Sequence, residues 1–291
     1  MLKSKNQNLK FATKLKNKTI LITGGSGSLG IGLAKELLKY PVKAIRLLDI
    51  NEHSLFQTKR TLNDSRIRPL LGSITNEERL DMACKEVDII FHTAAIKNLE
   101  ISEFNPIETI ETNITGTVNL IKTTIKNNPK IFVNISTDKA AEPSTLYGTT
   151  KQLSERLTSW AGNHIPETKY ASIRLGNIIE TRGNVFEIWN DEKNNKKPLS
   201  ITDPKMERYF FHMDEAVNFI LECLILMKSG EIFIPKMKPT KISDLAKTVS
   251  NSYKITGTRQ AEKLSEILIT ESEKKNATEM KNMWIIKQYT I

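Results

Sequence analysis

Cysteine is scarce: the chain of 291 residues has 2, Cys84 and Cys223, far apart in sequence. Such a pair offers neither metal-ligand spacing nor a disulfide framework, so a reducing, cytoplasmic compartment is expected. Long apolar runs are also missing. None approaches the roughly 20 residues that span a bilayer, so no membrane span is expected. The lysines at the start precede no apolar core of the secretory type. The Asn-x-Ser/Thr sequons at Asn113, Asn134 and Asn276 then read as chance matches. Acidic residues are outnumbered, 33 against 43 Lys and Arg, for a net charge of +10. The lysines are dispersed rather than gathered into a stripe, so no nucleic-acid partner is expected. Residues 1–17 are expected to form a basic mobile tail, with only a weak pull toward an anionic membrane surface.

What is present suffices for a core, since 39% of residues are hydrophobic. Thr19 to Thr23 is a short β-branched run, the mark of a buried strand. A glycine turn, Thr23-Gly24-Gly25-Ser26-Gly27-Ser28-Leu29-Gly30, follows at once. Leu29, Leu33 and Leu37 then recur at helical spacing. Further strands are read at Ala44–Asp49, Ile67–Leu71, Asp88–Phe91, Lys130–Ile135, Tyr170–Leu175 and Glu231–Ile234. Helices are read at Ser54–Leu62, Glu77–Lys85, Ile107–Lys126, Ser144–Trp160, Asp214–Met227 and Ile242–Asn251, and a polar loop at Asp191–Pro198. Apolar strands alternating with helices predict an α/β fold, a doubly wound parallel sheet. Residues 18–175 are assigned to a dinucleotide-binding domain, and 176–291 to a smaller substrate-binding lobe.

Ligands of such sheets sit beyond the carboxyl ends of the strands, where every polar cluster of this chain falls. Glycines spaced as Gly24, Gly27 and Gly30 allow close approach of backbone to a pyrophosphate, and the helix N-terminus faces it. Asp49 ends the second strand. A carboxylate there accepts from an adenosine ribose and repels a 2′-phosphate, which favours NAD over NADP. Arg46 or Lys43 could still reach such a phosphate. Tyr147 and Lys151, four apart, share a helix face. The ammonium is expected to lower the phenol's pKa and make it a base near neutral pH. Asp138 and Lys139 add an acid and an amine that an alcohol dehydrogenase does not need. Expulsion of water from a sugar needs both.

These residues resemble the sugar-nucleotide dehydratases of the extended short-chain dehydrogenases, above all the 5-inverting UDP-N-acetylglucosamine 4,6-dehydratases that start the pseudaminic acid pathway. The resemblance is carried by Thr23 to Gly30, Thr93-Ala94-Ala95-Ile96-Lys97, Ser136 to Ala140, Leu146 to Lys151 and Arg174-Leu175-Gly176-Asn177. It continues through Arg182-Gly183 and Glu262-Lys263-Leu264. It implies transient hydride transfer to a tightly bound, recycled NAD or NADP. Tyr147, aided by Lys151, would take the carbon-4 hydroxyl proton, and Thr137 would bind that oxygen. Lys139 would remove the carbon-5 proton, and Asp138 would protonate the departing carbon-6 hydroxyl. The cofactor would lie on Gly24, Ser26, Gly27, Ser28, Leu29, Gly30, Asp49, Ser73, Ile74, Ala94, Ala95 and Asn113. The UDP-sugar would meet Lys97, Asn177 and Glu262, with Arg182 and Arg208 on its diphosphate. No metal is implied, and a homo-oligomer is. Departures from the family pattern gather in substrate-facing loops: Asn98 stands for His, Glu180-Thr181 for Gly-Ser. Two rival readings use the same fold, a nucleotide-sugar 4-epimerase and an NAD(P)-binding protein without turnover.

Overall fold

A computed structural model describes residues 5–258 and 262–287. The chain opens with α1 (Lys5–Leu15), then alternates β1 (Thr19–Thr23), α2 (Ser28–Leu37), β2 (Ala44–Asp49), α3 (Glu52–Leu62), β3 (Ile67–Leu71), α4 (Glu77–Cys84) and β4 (Ile89–His92). Three helices follow, α5 (Leu99–Phe104), α6 (Pro106–Ile110) and α7 (Gly116–Asn127), then β5 (Ile131–Thr137), α8 (Leu146–His164) and β6 (Lys169–Leu175). The remainder comprises β7 (Asn177–Ile178), α9 (Val185–Asn194), β8 (Leu199–Ile201), β9 (Glu207–Arg208), β10 (Phe210–Phe211), α10 (Met213–Leu226), β11 (Glu231–Pro235), β12 (Thr240–Lys241), α11 (Ile242–Lys247), β13 (Tyr253–Ile255), α12 (Glu271–Lys275), β14 (Ala277–Glu279) and β15 (Met283–Lys287).

The nine-stranded main sheet runs β14-β15-β11-β6-β5-β4-β1-β2-β3. All neighbours from β11 to β3 are parallel, and only β14 and β15 join antiparallel. Strands β1, β4 and β5 are buried at every position, because helices cover both faces. Strand order reverses between β1 and β4, and the crevice that opens there is the usual ligand position of such a sheet. Asn51, Asn76 and Thr145 cap α3, α4 and α8 by accepting the backbone N–H three residues on, which fixes where each helix starts.

Four expectations need correction. Residues 5–15 are a docked helix, not a mobile tail. Phe11 is 3% exposed and Leu15 is fully buried, with the Phe11 ring edge-on to Tyr40 at 6.0 Å. Lys10 and Lys16 stay exposed, so the basic face is the solvent side of an amphipathic helix. The boundary at 176 does not separate two bodies. Strands β11, β14 and β15 belong to the main sheet, and α10 packs on α2. Outside that sheet lie the strand pairs β7–β10, β9–β12 and β8–β13, and α9, β8 and α11 gather apolar side chains around the buried Trp189. The stretch read as a polar loop from Asp191 carries the last turn of α9. The single helix expected over 107–126 is interrupted by a π-type turn, Glu111–Thr115.

Phe11→Ala should lower stability by about 3–5 kcal/mol, as for a buried phenylalanine. Urea unfolding checks this, and a variant as stable as the parent would return α1 to the status of a tail.

Candidate active site

The strands place their polar ends around one cavity of about 800 Å³. On the β1 side the glycine turn forms its floor. Gly24 has φ +65°, and a Cβ there would lie 2.8 Å from the Ala94 backbone. A Cβ on Gly30 would lie 2.5 Å from the Gly24 carbonyl oxygen. Only glycine allows the turn to approach the Ala94 backbone on one side and the start of α2 on the other so closely, and no side chain caps the N-terminus of α2. The uncapped N-terminus of α2 behind a glycine turn fits a dinucleotide's pyrophosphate. Ser28, Leu29 and Gly27 line it with Gly24 and Gly30. Ser73, Ile74, Ala94 and Ala95 line the neighbouring wall.

Asp49 also lines the cavity. Its two carboxylate oxygens accept from the backbone N–H of Ser26 at 3.0 Å and of Asn51 at 3.1 Å. Arg46 is turned away and donates to the carbonyls of Ala83 and Lys85 at 2.8 and 2.7 Å. Lys43 precedes β2, at the opposite end of the sheet from the cavity.

At the end of β5, Thr137 and Lys139 line the cavity with Tyr147 and Lys151 of α8. Asp138 does not. It is 1% exposed and lies behind them. Its Oδ1 accepts from the Thr137 hydroxyl at 2.9 Å and from Lys139 Nζ at 3.0 Å. Its Oδ2 is buried without a partner. Lys151 is buried, and that burial pulls its ammonium down to about 8, against the opposing charge of Glu155. The Tyr147 phenol is pushed above its ordinary range, chiefly by burial and then by the negative Asp138, while Thr137 pulls it back. The expected tuning of this phenol by Lys151 is therefore not its controlling influence here.

Two further residues fall outside the cavity wall. Ser26 is buried and turns its backbone N–H to Asp49. Asn113, in the π-type turn, accepts from the Ile96 backbone N–H at 2.8 Å and donates to the Ile96 carbonyl and the Thr150 hydroxyl, both at 3.0 Å. It shapes the 94–97 wall rather than facing a ligand. A π-type insertion often marks a functional position, and here it aims one amide at three groups.

On the far side Lys97, Asn177, Arg182, Arg208 and Glu262 line the cavity. The two arginines are engaged in different places. The Arg182 backbone N–H donates to Ser28 Oγ at 3.0 Å, and its guanidinium donates to the Ser26 carbonyl at 2.5 Å, beside the glycine turn. Lys97 Nζ reaches the Arg182 carbonyl at 3.3 Å. Burial and then the Arg182 charge pull the Lys97 ammonium down. Arg208 instead donates to the carbonyls of Lys263 and Leu264 at 2.8 and 3.1 Å, and pairs with Glu262 at 3.5 Å.

Sequence reasoning passed over the buried support. Arg174 of β6 forms a two-pronged pair with Glu155 of α8 at 2.7 and 3.0 Å. It also holds Glu273 and the Leu268 carbonyl. Glu155 lies four residues beyond Lys151, and this spacing was the available signal. No group of His, Cys, Asp and Glu among the described residues could hold a metal ion. No helix among them is long and apolar enough to cross a membrane.

The fold and crevice define a doubly wound, dinucleotide-binding enzyme scaffold of the extended short-chain dehydrogenase kind. Residues 20–288 match the model of the family described as "Polysaccharide biosynthesis protein", and the chain belongs to that family. It is 39% identical over 291 residues to an "Uncharacterized membrane protein" of Methanocaldococcus jannaschii, covering 95% of this chain and 87% of that one. It is 37% identical over 277 residues to a Campylobacter jejuni protein named UDP-N-acetylglucosamine 4,6-dehydratase (inverting), covering 92% of this chain and 82% of that one. The solved structure of Pen from Bacillus thuringiensis superposes with TM-score 0.90 at 32% identity, covering 94% of this chain and 88% of that one.

Burial of Lys151 has a measurable consequence. Its folded pKa of about 8 lies below the ordinary 10.5, so above pH 8 the unfolded chain holds a proton that the folded one has lost. Stability then rises with pH in this window, by up to about 1.4 kcal/mol per unit for this group. Urea unfolding of cofactor-free protein at pH 8 and 9 should show a more positive pH slope for the parent than for Lys151→Met.

Proposed function

We propose that this protein is a nucleotide-sugar 4,6-dehydratase that acts on UDP-N-acetylglucosamine or a close relative, with inversion at carbon 5. The observation that carries the proposal is the Asp138–Lys139 pair at the end of β5 beside Tyr147, with Asp138 buried and Lys139 on the cavity wall. The similarity to the Campylobacter enzyme over nearly the whole chain supports the substrate class. The product would be a keto-sugar of the kind used for pseudaminic acid.

NAD(P), held on the Gly24–Gly30 cradle, would serve as the temporary hydride acceptor and donor that such a reaction requires. Asp49 at the ribose end, with Arg46 turned away, favours NAD. Tyr147 would take the proton of the carbon-4 hydroxyl, with Thr137 beside it and Lys151 beneath. The keto group thus formed acidifies the carbon-5 proton, and Lys139 Nζ on the cavity wall is the base placed to remove it. Asp138 supplies the proton that leaves with the carbon-6 hydroxyl. Because it lies behind the wall, that proton reaches the substrate through the Thr137 hydroxyl or after a small side-chain rotation. Lys97 and Asn177 would face the sugar. Arg208 would meet the substrate diphosphate, while the position of Arg182 suits the cofactor's own phosphates better.

The same recessed Asp138 is the observation that favours a second reading, a 4-epimerase, which would use Tyr147 and Lys151 alone. One experiment separates them. Protein incubated with UDP-N-acetylglucosamine in deuterated water should yield a 4-keto-6-deoxy sugar with deuterium at carbon 5, seen by NMR, with couplings of the inverted configuration. Asp138→Asn should reduce water loss about 10²–10⁴-fold. A 4-epimer formed by parent and Asp138→Asn alike would move the assignment to epimerase.

A further inference from the structure

Lys139 is flanked by a second carboxyl group, from a segment more than a hundred residues away. Its Nζ lies 3.0 Å from Asp138 Oδ1 and 3.8 Å from Glu266 Oε1. The Glu266 side chain is 8% exposed and that of Lys139 15%. Of the three groups only Lys139 lines the cavity, so both carboxyl groups back it from behind. Three attachments fix the segment that delivers Glu266. Arg208 holds the Lys263 and Leu264 carbonyls, Ser265 bridges to Glu207, and Arg174 holds the Leu268 carbonyl. A buried carboxyl group is costly unless something needs it there, and the cation within its reach is Lys139.

We infer that Glu266 is a positioning residue for Lys139, steadying its Nζ against the cavity wall and governing how readily it gives up its proton. This rests on the dehydratase reading, in which Lys139 takes the carbon-5 proton as a neutral amine. One carboxylate, Asp138, binds the ammonium but is itself spent as the acid in the same cycle. To serve as that acid, Asp138 must carry a proton when Lys139 takes the carbon-5 proton, and in that form it does not orient the amine electrostatically. Glu266 keeps its hold through that change. Other charged or titratable groups also face this cluster: Tyr147 from α8, Arg208 and Tyr209 from the 207–211 segment, and Lys263 from the Glu266 segment itself. Burial pushes the Glu266 carboxyl up, while Lys139 opposes that shift.

Glu266→Gln keeps the shape and removes the charge. The acid limb of its kcat profile, where Lys139 must lose a proton, should move to lower pH by about one unit, because a negative neighbour no longer favours the ammonium. KM should stay close to the parent value. Glu266→Ala, which removes the support, should lose about 10–100-fold in kcat. Glu266→Asp should regain part of that loss with the limb near its parent position. A readout independent of turnover is the acetylation rate of Lys139 at fixed pH, followed by mass spectrometry. It should rise several-fold in Glu266→Gln. An unmoved acid limb together with unchanged Lys139 acetylation would overturn the inference. Raised acetylation in a protein whose parent dehydrates no nucleotide sugar would uphold the contact and sink the dehydratase reading instead.

Discussion

Arg174 and Glu155 form an ion pair in the dry interior, 1% and 0% exposed, and much of the site hangs on it. Removing either charge from water costs several kcal/mol, and only close, two-pronged geometry recovers this. The pair therefore tolerates little displacement. Arg174 belongs to β6, whose neighbour in register at that position is Ser136 of β5. Glu155 belongs to α8, the helix of Tyr147 and Lys151. Glu273 and the Leu268 carbonyl bring the C-terminal segment to the same guanidinium. One side chain thus fixes the strand that carries the acid, the helix that carries the phenol and the segment that carries Glu266. It also divides Glu155's charge. Much of that charge is spent on Arg174, so burial prevails at Lys151, whose pKa is drawn down to about 8.

Across the site, burial opposes the charged forms. Burial pulls Lys97 and Lys151 down and pushes Tyr147 and Glu266 up. His92, sandwiched between the Thr23 and Thr117 hydroxyls, is pulled down to about 3 by burial and stays uncharged.

Much of this was legible in the sequence. Short apolar runs marked the strands β1 to β6 and β11, most sharply β1, β4 and β5, which are buried at every position and so must be largely apolar. The glycine turn and the Tyr147–Lys151 spacing are local features and were readable for that reason. What was missed depends on distant contacts. The buried face of α1 is a Phe11–Leu15 pair hidden among lysines. Strands β14 and β15 are short and join by completing a sheet edge that no local pattern announces. Asn113 reads as a ligand-facing amide until the π-type turn rotates it onto Ile96. Asp138 reads as an acid facing the ligand until Thr137 and Lys139 are seen to cover it.

The charged residues of the substrate side also look different once folded. In the sequence, Glu142, Arg208, Glu262, Lys263 and Glu266 are scattered. In space they alternate in sign: Glu142 with Lys263 at 3.7 Å, Glu262 with Arg208 at 3.5 Å, and Glu266 with Lys139 at 3.8 Å. The outermost pair is exposed at Glu142 and contributes little, as surface pairs do. The innermost is buried and gains from low dielectric, provided its partners are held in place. Stability is therefore a poor explanation for the row as a whole. Its inner members surround the Lys139 ammonium, and its outer members tie the 262–266 segment to Glu142.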